Sequence, residues 1–363
     1  MLQRIVVFLL FASAIVSFFL SGCGTEKTNR KASSTDATTT SSKKQASSDE
    51  KKTSSLPVAQ SEQLELNLNV GDRFPLIKTV EQTLSQKVET GSNVSFSKLE
   101  LLLAIEVKAV LSDGRKRLWV DYQRVQYSHD VAGEHVQYDS AKPKQHVPQA
   151  ALVYQGLVGN GFAFWLGANN KITKIEKFDE FLKRCVRHAP ASVRKQLLMK
   201  LYETTGDEGV ANFIDDSIGL LPYFAEEKNK QTYVTIGDSW KRRRQVVRPL
   251  PMYYDSLYTL RSINPRTAII DVSGTIRPST TMAKKKGDKF SMTVRGGRSF
   301  GECTIDRKTG LPLISEVTRY IDMQVTPAEG KPFNQQKMIV TKIRAFPQQD
   351  KKRITRRTTN TKQ

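Results

Sequence analysis

The most regular pattern in the chain is alternation. In SFSKLELLLAIEVKAVL, residues 95–111, Leu101, Leu103, Ile105 and Val107 share one face, the period of a half-buried strand. The next residues place Asp113-Gly114 ahead of a second alternating run, KRLWVDYQRVQYS. Asp-Gly between two such runs is a strong short-range hairpin signal, and YTLRSINPRTAIIDVSGTIRP repeats the pattern later. Two further stretches match each other: Val70-Gly71-Asp72-Arg73-Phe74 and Ile236-Gly237-Asp238-Ser239-Trp240. Each runs aliphatic, Gly, Asp, any residue, aromatic. Gly-Asp favours a tight turn before a strand, which puts the aromatic on the inward face. Each half then closes with a Gly-led strand pair, GNGFAFWLGANNKITKIE and GGRSFGECTIDRKTGLPLISEVTRYIDM, the second turning at Asp306 to Gly310.

Between these halves the period changes. Phe178, Phe181, Leu182, Cys185 and Val186 fall at helical spacing, Val193, Leu197, Leu198 and Leu201 continue it after Pro190, and Val210, Phe213, Ile214 and Ile218 suit a third short helix. Such stripes need an apolar surface to lie on, and a sheet with one apolar face provides it. The chain therefore reads as α+β, with two β-rich half-repeats over about 66–176 and 233–347 and a helical segment over 177–221. Core packing is the first reading of these stripes. If the segment covers the sheet, Phe181, Leu197 and Leu201 must be buried against strands from both halves.

The N-terminus carries a different signal. Residues 5–20 form an uncharged run of 16 residues after Arg4, about 24 Å as a helix and short of the roughly 20 residues of a bilayer span. A charged start, a short apolar core and small residues behind it read as a secretory signal peptide. Leu20-Ser21-Gly22-Cys23 resembles the lipobox of bacterial lipoproteins. That resemblance implies removal of residues 1–22 and lipidation of Cys23 by diacylglycerol and an acyl chain such as palmitate. Gly24 stands where an Asp would resemble an inner-membrane retention signal, which favours the outer membrane. Residues 24–60 are rich in Ser, Thr, Lys and Ala without apolar period, so 23–60 reads as a lipidated cysteine with a disordered tether. The β-rich body is then 61–347, and 348–363 a basic disordered tail.

The lipobox, the tether and the paired halves around a helical segment resemble a family of uncharacterised bacterial lipoproteins, best represented in planctomycete-like bacteria and carrying a domain of unknown function. The marks are VGDRFPLIKTVEQTLSQ, IGDSW and IDRKTGLPL. The architecture also looks like that of LolA-, LolB- and LppX-type envelope proteins. This second resemblance implies a curved open antiparallel sheet, a half-barrel, under a central helical lid, with lipid or acyl chains carried between them.

Charge and candidate chemistry refine this picture. The formal net charge is +21, which would ordinarily suggest nucleic acid, but export removes that partner. The expected partners are the membrane through the anchor, a lipid or acyl ligand, and anionic lipid or a cell-wall polymer. The Lys241-Arg242-Arg243-Arg244 run suits a sheet edge, where charge blocks unwanted pairing, and Lys284-Lys285-Lys286 a loop. His129, His135, His146 and His188 lack metal-ligand spacing, and no HExxH, CxxC, phosphate loop or GxSxG motif occurs. Neither catalytic residues nor a cofactor nor a metal is expected. Cys185 and Cys303 suit either a disulfide or two buried free thiols. No ligand-binding residue can be named from the sequence. The expectation is a non-enzymatic envelope lipoprotein with its body in the periplasm. It would bind an apolar or amphipathic ligand between sheet and helices, or serve as a scaffold contacting cell wall or another envelope protein.

Overall fold

In this computed structural model the described residues are 61–88, 91–131, 133–142, 147–168, 170, 172–202, 233–246, 250–279 and 290–346. The expected signal peptide, Cys23, the expected tether, His146, residues 203–221 of the expected helical segment, Lys284–Lys286 and the basic C-terminal residues 348–363 lie outside them.

The alternating runs become long strands. In chain order they are β1 (Glu62–Gln63), β2 (Arg73–Val88), β3 (Gly91–Val110), β4 (Lys116–Val131), β5 (Glu134–Asp139), β6 (Asn160–Leu166), β7 (Ile172–Glu176), β8 (Tyr233–Val234), β9 (Ser239–Val246), β10 (Met252–Ile263), β11 (Thr267–Pro278), β12 (Phe290–Asp306), β13 (Pro312–Pro327) and β14 (Phe333–Ala345). Twelve of them form one antiparallel sheet in the order β7-β6-β4-β3-β2-β14-β13-β12-β11-β10-β9, with β5 on β4 beyond β6, while β1 and β8 pair as a separate ribbon. The end strands β7 and β9 do not pair with each other, so the sheet is open. The basic run 241–244 lies on the edge strand β9.

The fold is predominantly β rather than the α+β expected. Among the described residues its helices are short: α1 (Leu152–Leu157) after a 3-10 turn, α2 (Phe178–Cys185), and α3 over 191–202. α1 has no counterpart in the sequence reading. Five of its six residues are buried, so it has no polar face to create a periodic stripe. Gly156 lets it touch α2, since a β-carbon there would lie 1.8 Å from the Cys185 carbonyl oxygen.

The two Gly-Asp turns are built alike. Gly71 N–H donates to the Val107 carbonyl (2.9 Å) and Val107 N–H to that of Asp72 (2.9 Å). Gly237 N–H donates to the Leu260 carbonyl (2.7 Å) and Leu260 N–H to that of Asp238 (2.9 Å). The Asp72 carboxylate accepts from Asn69 N–H at 2.7 Å and the Asp238 carboxylate from Thr235 N–H at 2.8 Å. Both glycines have positive φ, 89° and 95°.

Burial separates the two faces of the sheet. The larger apolar cluster takes one end of the inner face. It joins Leu101, Leu103, Ile105 and Val107 to α1, α2, Leu201, the extended segment carrying Leu64, Leu66 and Leu68, and Tyr258, Leu260, Ile270 and Cys303 of the second half. Phe181 is fully buried against Phe162 and Phe178, at ring-centroid distances of 5.0 and 5.6 Å, and Leu197 is half-buried. A second cluster at the other end contains Leu84, Tyr254, Ile276, Val294, Ile321 and Met323.

Candidate functional site

Antiparallel registers align side chains in rows across the strands. One row on the inner face separates the two apolar clusters. It begins at His129 on β4, passes Ser97 on β3 and Gln82 on β2, and reaches Ile339 on β14. It continues through Arg319, Ser299 and Gly274 to Ser256 and Arg242 at the β9 edge. Apart from Ile339, every member is polar or glycine. The row toward the larger cluster is mostly apolar, with Tyr127, Leu99, Val80, Val317, Val272 and Tyr258.

Several polar atoms on this face lack a hydrogen-bond partner. Gln82 is 3% exposed, and neither its amide nitrogen nor its amide oxygen is bonded. Ser97, directly across the β2–β3 pair, is 1% exposed with an unbonded hydroxyl. Gln86 and Gln335 face each other across β2 and β14 at 4% exposure each, with Gln86 Nε2 and Gln335 Oε1 unbonded. Lys337 stands opposite Leu84, one row from each pair. It is half-buried, and desolvation pushes its pKa down to about 8.

Charge is sorted between the faces. Among the described residues of β2–β4 and β9–β14, every acidic side chain occupies an outward register position, including Glu81, Glu100, Asp255, Asp271, Glu302, Glu316 and Asp322. There they meet outward bases, as in Lys98–Glu81 (3.1 Å), Arg243–Asp255 (2.6 Å) and Arg261–Glu302 (2.8 Å). Inward positions carry Lys78, Arg244, Arg319 and Lys337 instead. The guanidinium carbons of Arg244 and Arg319 lie 4.8 and 5.8 Å from the same Tyr254 ring.

The residues singled out by sequence fare differently. Leu101, Leu103, Ile105 and Val107 are core side chains in the larger cluster. Cys185 and Cys303 are buried free thiols, each pushed up to about 12 by burial. Cys185 Sγ accepts from Asn160 Nδ2 at 3.5 Å, and Asn160 Oδ1 accepts from Arg184 Nε at 2.7 Å, so Asn160 ties β6 to α2. A hydrogen bond of 2.8 Å joins the Tyr127 hydroxyl to His129 Nδ1, and His135 pairs with Asp130 at 3.3 Å. Among the described residues no group of His, Cys, Asp and Glu could hold a metal ion. On the outer face Arg117 grips Glu176 through Nε and a terminal nitrogen (3.1 and 2.6 Å). That pair holds the Glu176 carboxyl down to about 2 against opposing desolvation, with the Trp165 indole adding to it. The polar patch itself escaped sequence reasoning. Its available signal was Lys78, Gln82 and Gln86, a polar residue at every second inward position of β2.

Residues 113–312, more than half of the chain, match a family of unknown function (DUF6263). The chain belongs to that family. The matched span runs from the β3–β4 turn to the start of β13, so the patch on β2, β3 and β14 lies outside it. No curated protein matches the chain. Among solved structures it is similar to one titled for lipid–protein interactions in lipovitellin, with a TM-score of 0.41 and 10% identity. That match covers 77% of this chain and 25% of that chain, so this chain spans about a quarter of its length. An outer membrane channel from Pseudomonas putida F1 follows at a TM-score of 0.17 and 8% identity, covering 77% and 97% of the two chains. A putative outer membrane lipoprotein-sorting protein domain from Vibrio parahaemolyticus gives 0.12 and 6%, covering 76% and 87%. Scores this low define neither fold nor ligand for this chain.

Proposed function

We propose that the protein is a non-enzymatic lipoprotein of the bacterial envelope, anchored through Cys23, whose sheet binds an amphipathic ligand on its inner face. The observation that carries the binding half is a set of buried polar atoms without partners: those of Gln82 and Ser97 in the row between the two apolar clusters, and those of Gln86 and Gln335 beside the second cluster. Leaving such an atom unpaired costs about 1–3 kcal/mol. A purely structural interior would gain by replacing these side chains with apolar ones of similar shape. A ligand with one polar end and an apolar chain would satisfy these atoms and lie along the clusters. The anchoring half is supported by the lipobox Leu20-Ser21-Gly22-Cys23 and the uncharged run before it, and several acyl chains would hold stably where one holds marginally.

Two measurements test this reading. Protein purified from its own membranes should carry a stoichiometric amphiphile in native mass spectrometry, and repeated recovery of clean protein would refute the binding half. Intact mass should place the mature N-terminus at Cys23 with added lipid, and Cys23→Ala should release the protein from membranes. A lipid-free N-terminus elsewhere would refute the anchor.

A further inference from the structure

We propose that Ser97, Gln82, Gln86, Gln335 and Lys337 form the head-group site for an amphiphile with an anionic head, a carboxylate or a phosphate monoester. This rests on the amphiphile reading above and adds the chemistry of the head.

Gln82 and Ser97 are direct partners across β2 and β3, as are Gln86 and Gln335 across β2 and β14, with Lys337 between the two rows. Neighbours across strands stand about 5 Å apart, and alternate residues along a strand about 7 Å apart. The five positions therefore extend about 14 Å along the strands and about 10 Å across them, with Lys337 in the central row. Their chemistry favours an acceptor. Three amide nitrogens, a hydroxyl and an ammonium are donors; of these Gln82 Nε2, Gln86 Nε2 and Ser97 Oγ have no partner, against two unpartnered acceptors, Gln82 Oε1 and Gln335 Oε1. An anionic oxygen takes several donors at once, and hydrogen bonds to a charged group are about twice as strong as neutral ones.

The sign of the charge follows from what surrounds the patch. Acids of the neighbouring strands stand on the outer face, and the inward positions nearby carry Lys78, His129 and Arg319. Desolvation alone accounts for the lowered pKa of Lys337, so no carboxylate compensates for its burial. An anionic head would supply that compensation. The chain of the ligand would continue along the row of Lys337 itself, over Leu84 and Ile321, or over Val80 and Val317, the apolar row on the side of the larger cluster.

The test uses the full chain stripped of endogenous lipid and three probes sharing one tail: palmitate, hexadecyl phosphate and hexadecanol. The two anions should bind at least tenfold more tightly than the alcohol. Lys337→Met should bring palmitate down to the affinity of hexadecanol without changing hexadecanol itself, a split that a folding defect would not produce. Gln82→Leu should weaken palmitate binding while raising the unfolding temperature, because it removes unpaired buried amide atoms. Equal binding of palmitate and hexadecanol would overturn the head-group assignment and leave the amphiphile reading standing. Failure of all three tailed probes would overturn both. Full displacement of palmitate by inorganic phosphate alone would make the patch a free-anion site and overturn the assignment of a tailed ligand.

Discussion

Gly156 and Asn160 decide how closely the helices approach the sheet. A β-carbon at Gly156 would meet the backbone of Cys185 at 1.8 Å rather than a mobile side-chain tip, so α2 itself would have to move. Gly156→Ala should destabilise the body by about 1–3 kcal/mol, the usual range for overpacking. Chemical denaturation measures this, and an unchanged midpoint would mean that α1 and α2 are not in contact. Asn160 lies at the same junction, donating toward the Gly156 carbonyl at 3.3 Å and accepting from Arg184. In the sequence it is one polar residue in a Gly-rich stretch. Its importance comes from burial among carbonyls of α1 and α2, which no local pattern encodes.

Among the elements, the turns were the most legible. Asp113-Gly114 and the paired Gly-Asp motifs state their geometry locally, since positive φ and a short side chain accepting a backbone N–H are requirements of the turn itself. A β-carbon at Gly71 or Gly237 would meet nothing within 4 Å, so substitution there changes conformation and not packing. Gly71→Ala and Gly237→Ala should each cost about 1–2 kcal/mol, the penalty of a left-handed L-residue. The two losses should be similar because the turns are bonded alike, and unfolding midpoints of the single variants check this. A large loss at one and none at the other would break the equivalence. The strands carrying the patch were less legible. β2 places Lys78, Gln82 and Gln86 inward, and β14 turns Met338 and Val340 outward, so neither follows polar-out alternation. Local pattern gives way there to the polar requirements of the interior.

At the scale of the molecule, the pairing of β2 with β14 is unlike the other contacts in the large sheet. The others join strands close in sequence, most of them hairpins, whereas β2–β14 brings residues 76–86 against 335–345. Hairpins can form as soon as both their strands exist, but a long-range pairing must wait and closes a large loop. A chain truncated before Phe333 should keep strand-rich circular dichroism while binding none of the tailed probes. Retained binding would show that the patch does not need β14. The pairing also has a temporal meaning. Gln82, Gln86 and Ser97 emerge early in synthesis, Gln335 and Lys337 late, so the anion site is the last feature of the sheet to be completed. A chain still in transit would have nothing with which to hold an amphiphile, and the first ligand it captures would belong to the compartment where its folding ends.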